Sequence, residues 1–162
     1  MSIIDTLIDN RTQADADALQ LLFARVRVGT IASMDYARLG CANHKGAYNA
    51  SDLDRVSRAM EYLVTLLRGY GYAVAGYQPD PEGWRTTDVP APGRLQRYID
   101  NVAAIRAALA VFPSTPAAPG DMEGLTVQEA NAIERILKDV HTLINNAAAA
   151  WHFCAELHAG EV

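Results

Sequence analysis

From Thr126 onward the chain keeps apolar residues at alternating steps of three and four: Ala130, Ile133, Leu137, Val140, Ile144, Ala147, Trp151 and Cys154. That spacing is the seam of a helix, sustained over three heptads. A second line, Ile136, Leu143, Ala150 and Leu157, runs beside the first. The combined face is wider than one neighbouring helix can cover, so several others must wrap it. Thr126-Val-Gln-Glu129 opens the segment as a capping box, in which the Thr and Glu side chains satisfy each other's free backbone amides. The spacing predicts a helix over 127–153 at the centre of a helical bundle.

Three further segments have the same periodicity with start and stop chemistry. Thr12 caps a helix over 13–28, with Asp15 and Asp17 at its positive end and Gly29 after its last turn. Its inward stripe is Leu19, Leu22, Phe23 and Val26. A helix over 51–68, capped by Ser51 or Asn49, carries Leu53, Val56, Met60, Leu63, Val64 and Leu67 on one face. Asp54, Arg55, Arg58, Glu61 and Arg68 take its other face, and Gly69 and Gly71 end it. A third helix over 92–111 starts at Pro92, tolerated in a first turn, and carries Leu95, Tyr98, Val102, Ile105, Leu109 and Phe112. The expected fold is all-α: one domain over 1–162, a mostly antiparallel four-helix bundle. A short extra helix at Ser33–Leu39 and a minor pairing of Tyr72–Val74 with the C-terminal tail complete the expectation. The connection from Phe112 to Leu125 is expected to cross the outside of the bundle.

The apolar share of 50% and charged share of 20% are those of a globular chain, not a disordered one. Fourteen basic residues against nineteen acidic ones give a net charge of −5, with no basic stripe. A nucleic-acid duplex is therefore not an expected partner, because phosphate binding needs clustered Lys and Arg. No apolar run reaches the ~20 residues that span a bilayer, so no membrane is expected either. Met1 to Asn10 contains no basic residue and does not read as a secretory signal. Two widely separated Cys make no disulfide framework, which suits a reduced compartment.

Catalytic constellations are missing. His44, His141, His152 and His158 do not reach metal spacing: His152 and Glu156 stand four apart, but no third ligand completes a set. Solvated or interface histidines are the simpler account. Cys41 and Cys154 form no C-x-x-C, and Cys154 continues the apolar seam as a small hydrophobe. Residues 69–76 hold glycines without the Lys-Ser/Thr of a phosphate loop, and no G-x-S-x-G elbow occurs. Asp15, Asp17, Asp52 and Asp54 sit in first turns, where capping accounts for them. The chain reads as a non-enzyme with no cofactor and no metal.

The irregular stretch 70–90 gathers Tyr70, Tyr72, Tyr77 and Trp84. Aromatic-rich loops are common at recognition surfaces, and the competing reading is that these rings cover one end of the bundle. Trp151, Phe153 and Leu157 extend the last helix's apolar face past the expected ends of its neighbours. Together these seven residues are the candidate interface, for a second copy of the chain or another protein.

Several stretches, in order along nearly the whole chain, carry a family resemblance. They are Asp9-Asn-Arg-Thr-Gln-Ala-Asp15, Lys45-Gly-Ala-Tyr-Asn-Ala-Ser-Asp-Leu-Asp-Arg-Val56 and Gly71-Tyr-Ala-Val74. Trp84 with Asp88-Val-Pro-Ala-Pro92, and Arg97-Tyr-Ile-Asp-Asn-Val102, follow. The last are Leu125-Thr with Glu129-Ala-Asn-Ala-Ile-Glu134, and Trp151 with Gly160-Glu161. The chain resembles a family of phage and prophage proteins from anaerobic Gram-positive gut bacteria, associated with the tail or baseplate region of phage structural genes. It departs from that pattern at Cys41–His44 and at His152-Phe-Cys-Ala. The resemblance implies a structural, tail-associated protein, present in the bacterial cytoplasm during assembly and in the virion afterwards, with itself or other phage structural proteins as partners. It carries over no catalytic residue. The alternative is a small helical binding or regulatory module that docks a phage or host protein through its Tyr-rich segment.

Overall fold

The computed structural model describes residues 2–32, 44–80, 82–85, 87 and 91–158, with side chains as far as residue 150. The fold is an all-α helical bundle. A 3-10 turn, Ile3–Thr6, leads into α1 (Gln13–Arg27), α2 (Ala50–Gly69), α3 (Pro92–Ala107) and α4 (Val127–His158). No strand forms among the described residues. Tyr72–Val74 is irregular, with Val74 buried in the core. The short helix expected at Ser33–Leu39 and the C-terminal tail expected to pair lie outside the described residues.

The helix starts repeat one device. Ser2 with Asp5, Thr12 with Asp15, Asn49 with Asp52, and Thr126 with Glu129 each form a reciprocal capping box. Asn49 rather than Ser51 therefore caps α2, accepting from the amides of Ser51 and Asp52. Donation from Thr12 and Thr126 holds the Asp15 and Glu129 carboxyls below their ordinary range. α3 starts differently, on Ala91 with no side-chain cap and with Pro92 inside its first turn. α2 ends at Gly69, and two residues on Gly71 takes a φ of +83°, open to glycine at little cost. The amides of Gly71 and Tyr72 then close back onto Arg68 and Leu67 as a Schellman motif.

The core lies between α2, α3 and α4. Leu53, Val56, Met60, Leu63, Val64 and Leu67 of α2 are all buried, as the stripe requires. So are Ile133, Ile136, Leu137, Val140 and Ile144 of α4, and Tyr98, Ile99, Val102 and Ile105 of α3. Leu109 packs partly buried against them, beyond the end of α3. α3 stops four residues short of the expected Val111. From the last turn of α3 Arg106 donates to the Pro116 carbonyl (2.7 Å), and beyond the helix Thr115 donates to buried Asp139 (2.7 Å), pinning the connection to the bundle. α4 continues five residues past the expected Phe153.

Two departures concern arrangement. Arg55 meets Glu134, and seven residues on in each helix Tyr62 meets His141. α2 and α4 therefore run side by side in the same direction, where mostly antiparallel neighbours were expected. Long connections on both sides of α3 leave enough chain to return to the starting end. The second departure is α1, which buries only Leu19. Phe23 and Val26, expected to face the bundle, are exposed. Their place is taken by the N-terminal turn, whose Ile4 and Leu7 join the core.

Candidate functional site

The N-terminal segment, α2 and α4 meet over a cluster of buried charges. Arg11 follows the 3-10 turn, Asp52 and Arg55 lie in the first turns of α2, and Glu134 lies two turns into α4. Arg11 Nη2 donates to Asp52 Oδ1 (2.9 Å) and to Glu134 Oε1 (2.7 Å). Arg55 Nη2 reaches the same two oxygens, at 2.6 and 2.9 Å. Two guanidinium groups and two carboxylates thus share one interior site, with Glu134 fully buried at 0% exposure. A buried charge needs such pairing, since desolvation of each ion alone costs several kcal/mol.

The same atoms hold the chain's first dozen residues in place. Glu134 Oε2 accepts from the Ile8 amide at 2.5 Å, and Arg11 Nη1 donates to the Ile8 carbonyl. Asn131 of α4 grips the Arg11 backbone from both sides, accepting from its amide (2.9 Å) and donating to its carbonyl (2.8 Å). Lys138 then pairs with Asp9 at 2.6 Å. Partial burial raises the Asp9 carboxyl, but Lys138, aided by Arg135, outweighs it and leaves the group below its ordinary range. Burial likewise opposes the charge on Arg55, yet Glu134 and Asp52 overcome it and raise that pKa. The Nε–H groups of Arg11 and Arg55 remain buried without an acceptor. Such a cluster fixes position more than it adds net stability.

Tyr48 and Tyr98 border the charges. Their hydroxyls share a hydrogen bond of 2.6 Å, and the Arg11 guanidinium stands 5.2 Å from the centre of the Tyr48 ring. Burial pushes both phenols well above their usual range, so neither is an acid or base at neutral pH. Every carboxylate oxygen that faces Arg11 or Arg55 is already an acceptor, and what the arrangement does is clip one segment to two helices.

The candidate interface residues separate. Trp84 is buried, at 7% exposure, donates from Nε1 to Ser57 Oγ at 3.0 Å and meets Tyr98 edge-on. Arg94 covers its other side, 3.8 Å from the ring centroid, and is held there by Asp80 at 2.6 Å. Trp84 therefore belongs to the core rather than to an open recognition surface. The cavity beside it, about 10 Å³, has room for a single water. Tyr72 and Tyr77 pack half-buried against the core, and burial pushes the Tyr77 phenol up to about 12. Tyr70 stays exposed, at 37%. The side chains of Trp151, Phe153 and Leu157 lie outside the described residues.

Sequence reading missed the charge cluster. It assigned Arg55 to the solvated face of α2 and Asp52 to capping alone. Asp52 does cap, through Oδ2 to the Asn49 amide, while Oδ1 serves the two arginines. Among the described residues no group of three His, Cys, Asp or Glu side chains could hold a metal ion. No helix of the described residues is long and apolar enough to cross a membrane. Comparison with known protein families, with curated proteins and with solved structures finds no match.

Proposed function

We propose that this chain is a non-enzymatic structural protein that acts through protein–protein assembly, in the tail-associated setting that its resemblance to phage and prophage proteins implies. One observation carries the reading: Leu21, Phe23 and Val26 of α1, and Val28 that caps its end, are exposed to solvent. Of the large apolar side chains exposed among the described residues, only Tyr62 and Tyr70 lie elsewhere. Four exposed large apolar side chains within eight residues of chain, on two sides of one helix, support a role in protein contact. The interior charges, by contrast, are engaged with one another and offer no free acid or base. The docking-module reading draws less support, because Trp84 is in the core and Tyr72 and Tyr77 are packed onto it.

Purified particles of the phage whose genome encodes this chain provide the test. Mass spectrometry is expected to find the protein in them, and immunogold labelling to place it at the tail. Its absence from particles and from tail assembly intermediates alike would refute the proposal.

A further inference from the structure

We propose that two copies of this chain join by exchanging N-terminal segments, residues 2–12 of each seating in the groove between α2 and α4 of the other. The inference rests on the assembly reading and supplies its joint. The segment is held as an extended ligand is held. Ile4 and Leu7 enter the core, and beyond them Glu134 takes the Ile8 amide and Lys138 takes the Asp9 carboxylate. The Asn131 side chain engages both polar groups of the Arg11 backbone. Without Arg11 the groove sets one guanidinium, Arg55, against two buried carboxylates, Asp52 and Glu134. The site is therefore incomplete without this sequence, and its own or a second copy's residues 2–12 satisfy it alike.

The segment's tie to its own bundle is loose. The 3-10 turn packs on α2 and α4, whereas α1, which follows it, has no substantial packing on α2, α3 or α4. α1 buries only Leu19, and the Thr12–Asp15 capping box starts it without help from the bundle. A helix left uncovered on nearly every side suits a bridge between two bodies better than a layer of one. Its 15 residues extend about 22 Å at ~1.5 Å each. The chain from Val28 to His44 reaches roughly 50 Å when fully extended, so a neighbouring groove is within range. Lys45 and Tyr48, which meet Asn10 and Arg11, stand just before α2 and stay with the groove. Reciprocal exchange fills both grooves and closes a two-fold dimer, formed as the chains fold together.

Lys138 is one of only two lysines in the chain and meets Asp9 at 2.6 Å. A carbodiimide therefore joins the two side chains directly, as an amide with loss of water. Equal amounts of light and heavy-isotope-labelled full chain are unfolded together in urea, refolded at about 100 µM and cross-linked. Mass spectrometry is expected to find about half of the Asp9–Lys138 links in the dimer fraction joining a light chain to a heavy one. Charge reversal puts the same question to chains folding in the cell. Asp9→Lys alone sets two cations together in the groove, and Lys138→Asp alone sets two anions together. The exchanged heterodimer of these variants restores opposite charges in both grooves, so coexpression should give several-fold more dimer than either variant alone. No dimer, dimer links confined to one label, or a coexpressed pair no more dimeric than the single variants would overturn the exchange. A chain that is monomeric yet present in virions would sink the exchange and leave the assembly reading standing. An exchanged dimer absent from virions would do the reverse.

Discussion

Glu134→Ala is expected to lower the free energy of unfolding by roughly 3–5 kcal/mol, the usual consequence of removing one partner from a buried ion pair. The carboxylate is fully buried and accepts from three donors: the Ile8 amide, Arg11 and Arg55. Truncation leaves two guanidinium groups facing Asp52 alone and frees an amide that has no other acceptor in the cluster. Each effect has the same sign. Urea denaturation should show the loss as a lower midpoint, with Glu134→Gln falling less because it keeps the shape and part of the acceptor capacity. A loss below about 1 kcal/mol for the alanine variant would mean that these contacts contribute little to the fold.

Leu137→Ala should cost roughly 2–5 kcal/mol through lost burial and the cavity left behind. Leu137 is completely buried on α4, within the core that α2 and α3 complete. Arg58→Ala is the matched surface change. Its side chain is 69% exposed and pairs only with Asp54 one turn away, so its loss should be about 0.5 kcal/mol or less. Equal shifts of the urea midpoint for the two would contradict the facing of both helices.

How much of this was legible follows from where each signal resides. The stripes of α2 and α4 were readable because a buried helix face repeats within one segment, and the neighbours on both sides test the period. Caps were readable for the same reason: Thr126 and Glu129 are three residues apart and meet whatever the fold does elsewhere. Direction was not. Whether α2 and α4 run parallel depends on the path of long connections that have no periodicity to read. α1 shows the limit of the stripe itself. Leu19, Leu22, Phe23 and Val26 have inward spacing, but spacing cannot say whether a bundle or a partner covers it.

The charge cluster was hidden more deeply. Arg11, Asp52 and Glu134 are separated by 41 and 123 residues from one end of the network, so no local pattern links them. Each also had a sufficient local explanation, as a loop cation, a cap, or a polar position on a helix. The only trace is that three of the stretches carrying the family resemblance, Asp9–Asp15, Lys45–Val56 and Glu129–Glu134, contain all four members. Tyr48 and Tyr98 joined the site for the same long-range reason. Trp84 misled in the opposite sense, since an aromatic ring in a Pro-rich loop can serve a surface or plug a core.

The most direct measurement is native-state hydrogen exchange at the Ile8 amide. The N-terminal segment is held as an integral part of the fold by charges buried beneath it, with this amide donating to Glu134 at 2.5 Å. Exchange there should require an opening close in free energy to global unfolding, comparable to the amides of Leu63 or Leu137 in the core. Glu134→Ala should abolish that protection first at Ile8 and its neighbours. An Ile8 amide that exchanges as fast as an unstructured terminus, in a protein whose core amides remain protected, would contradict the account.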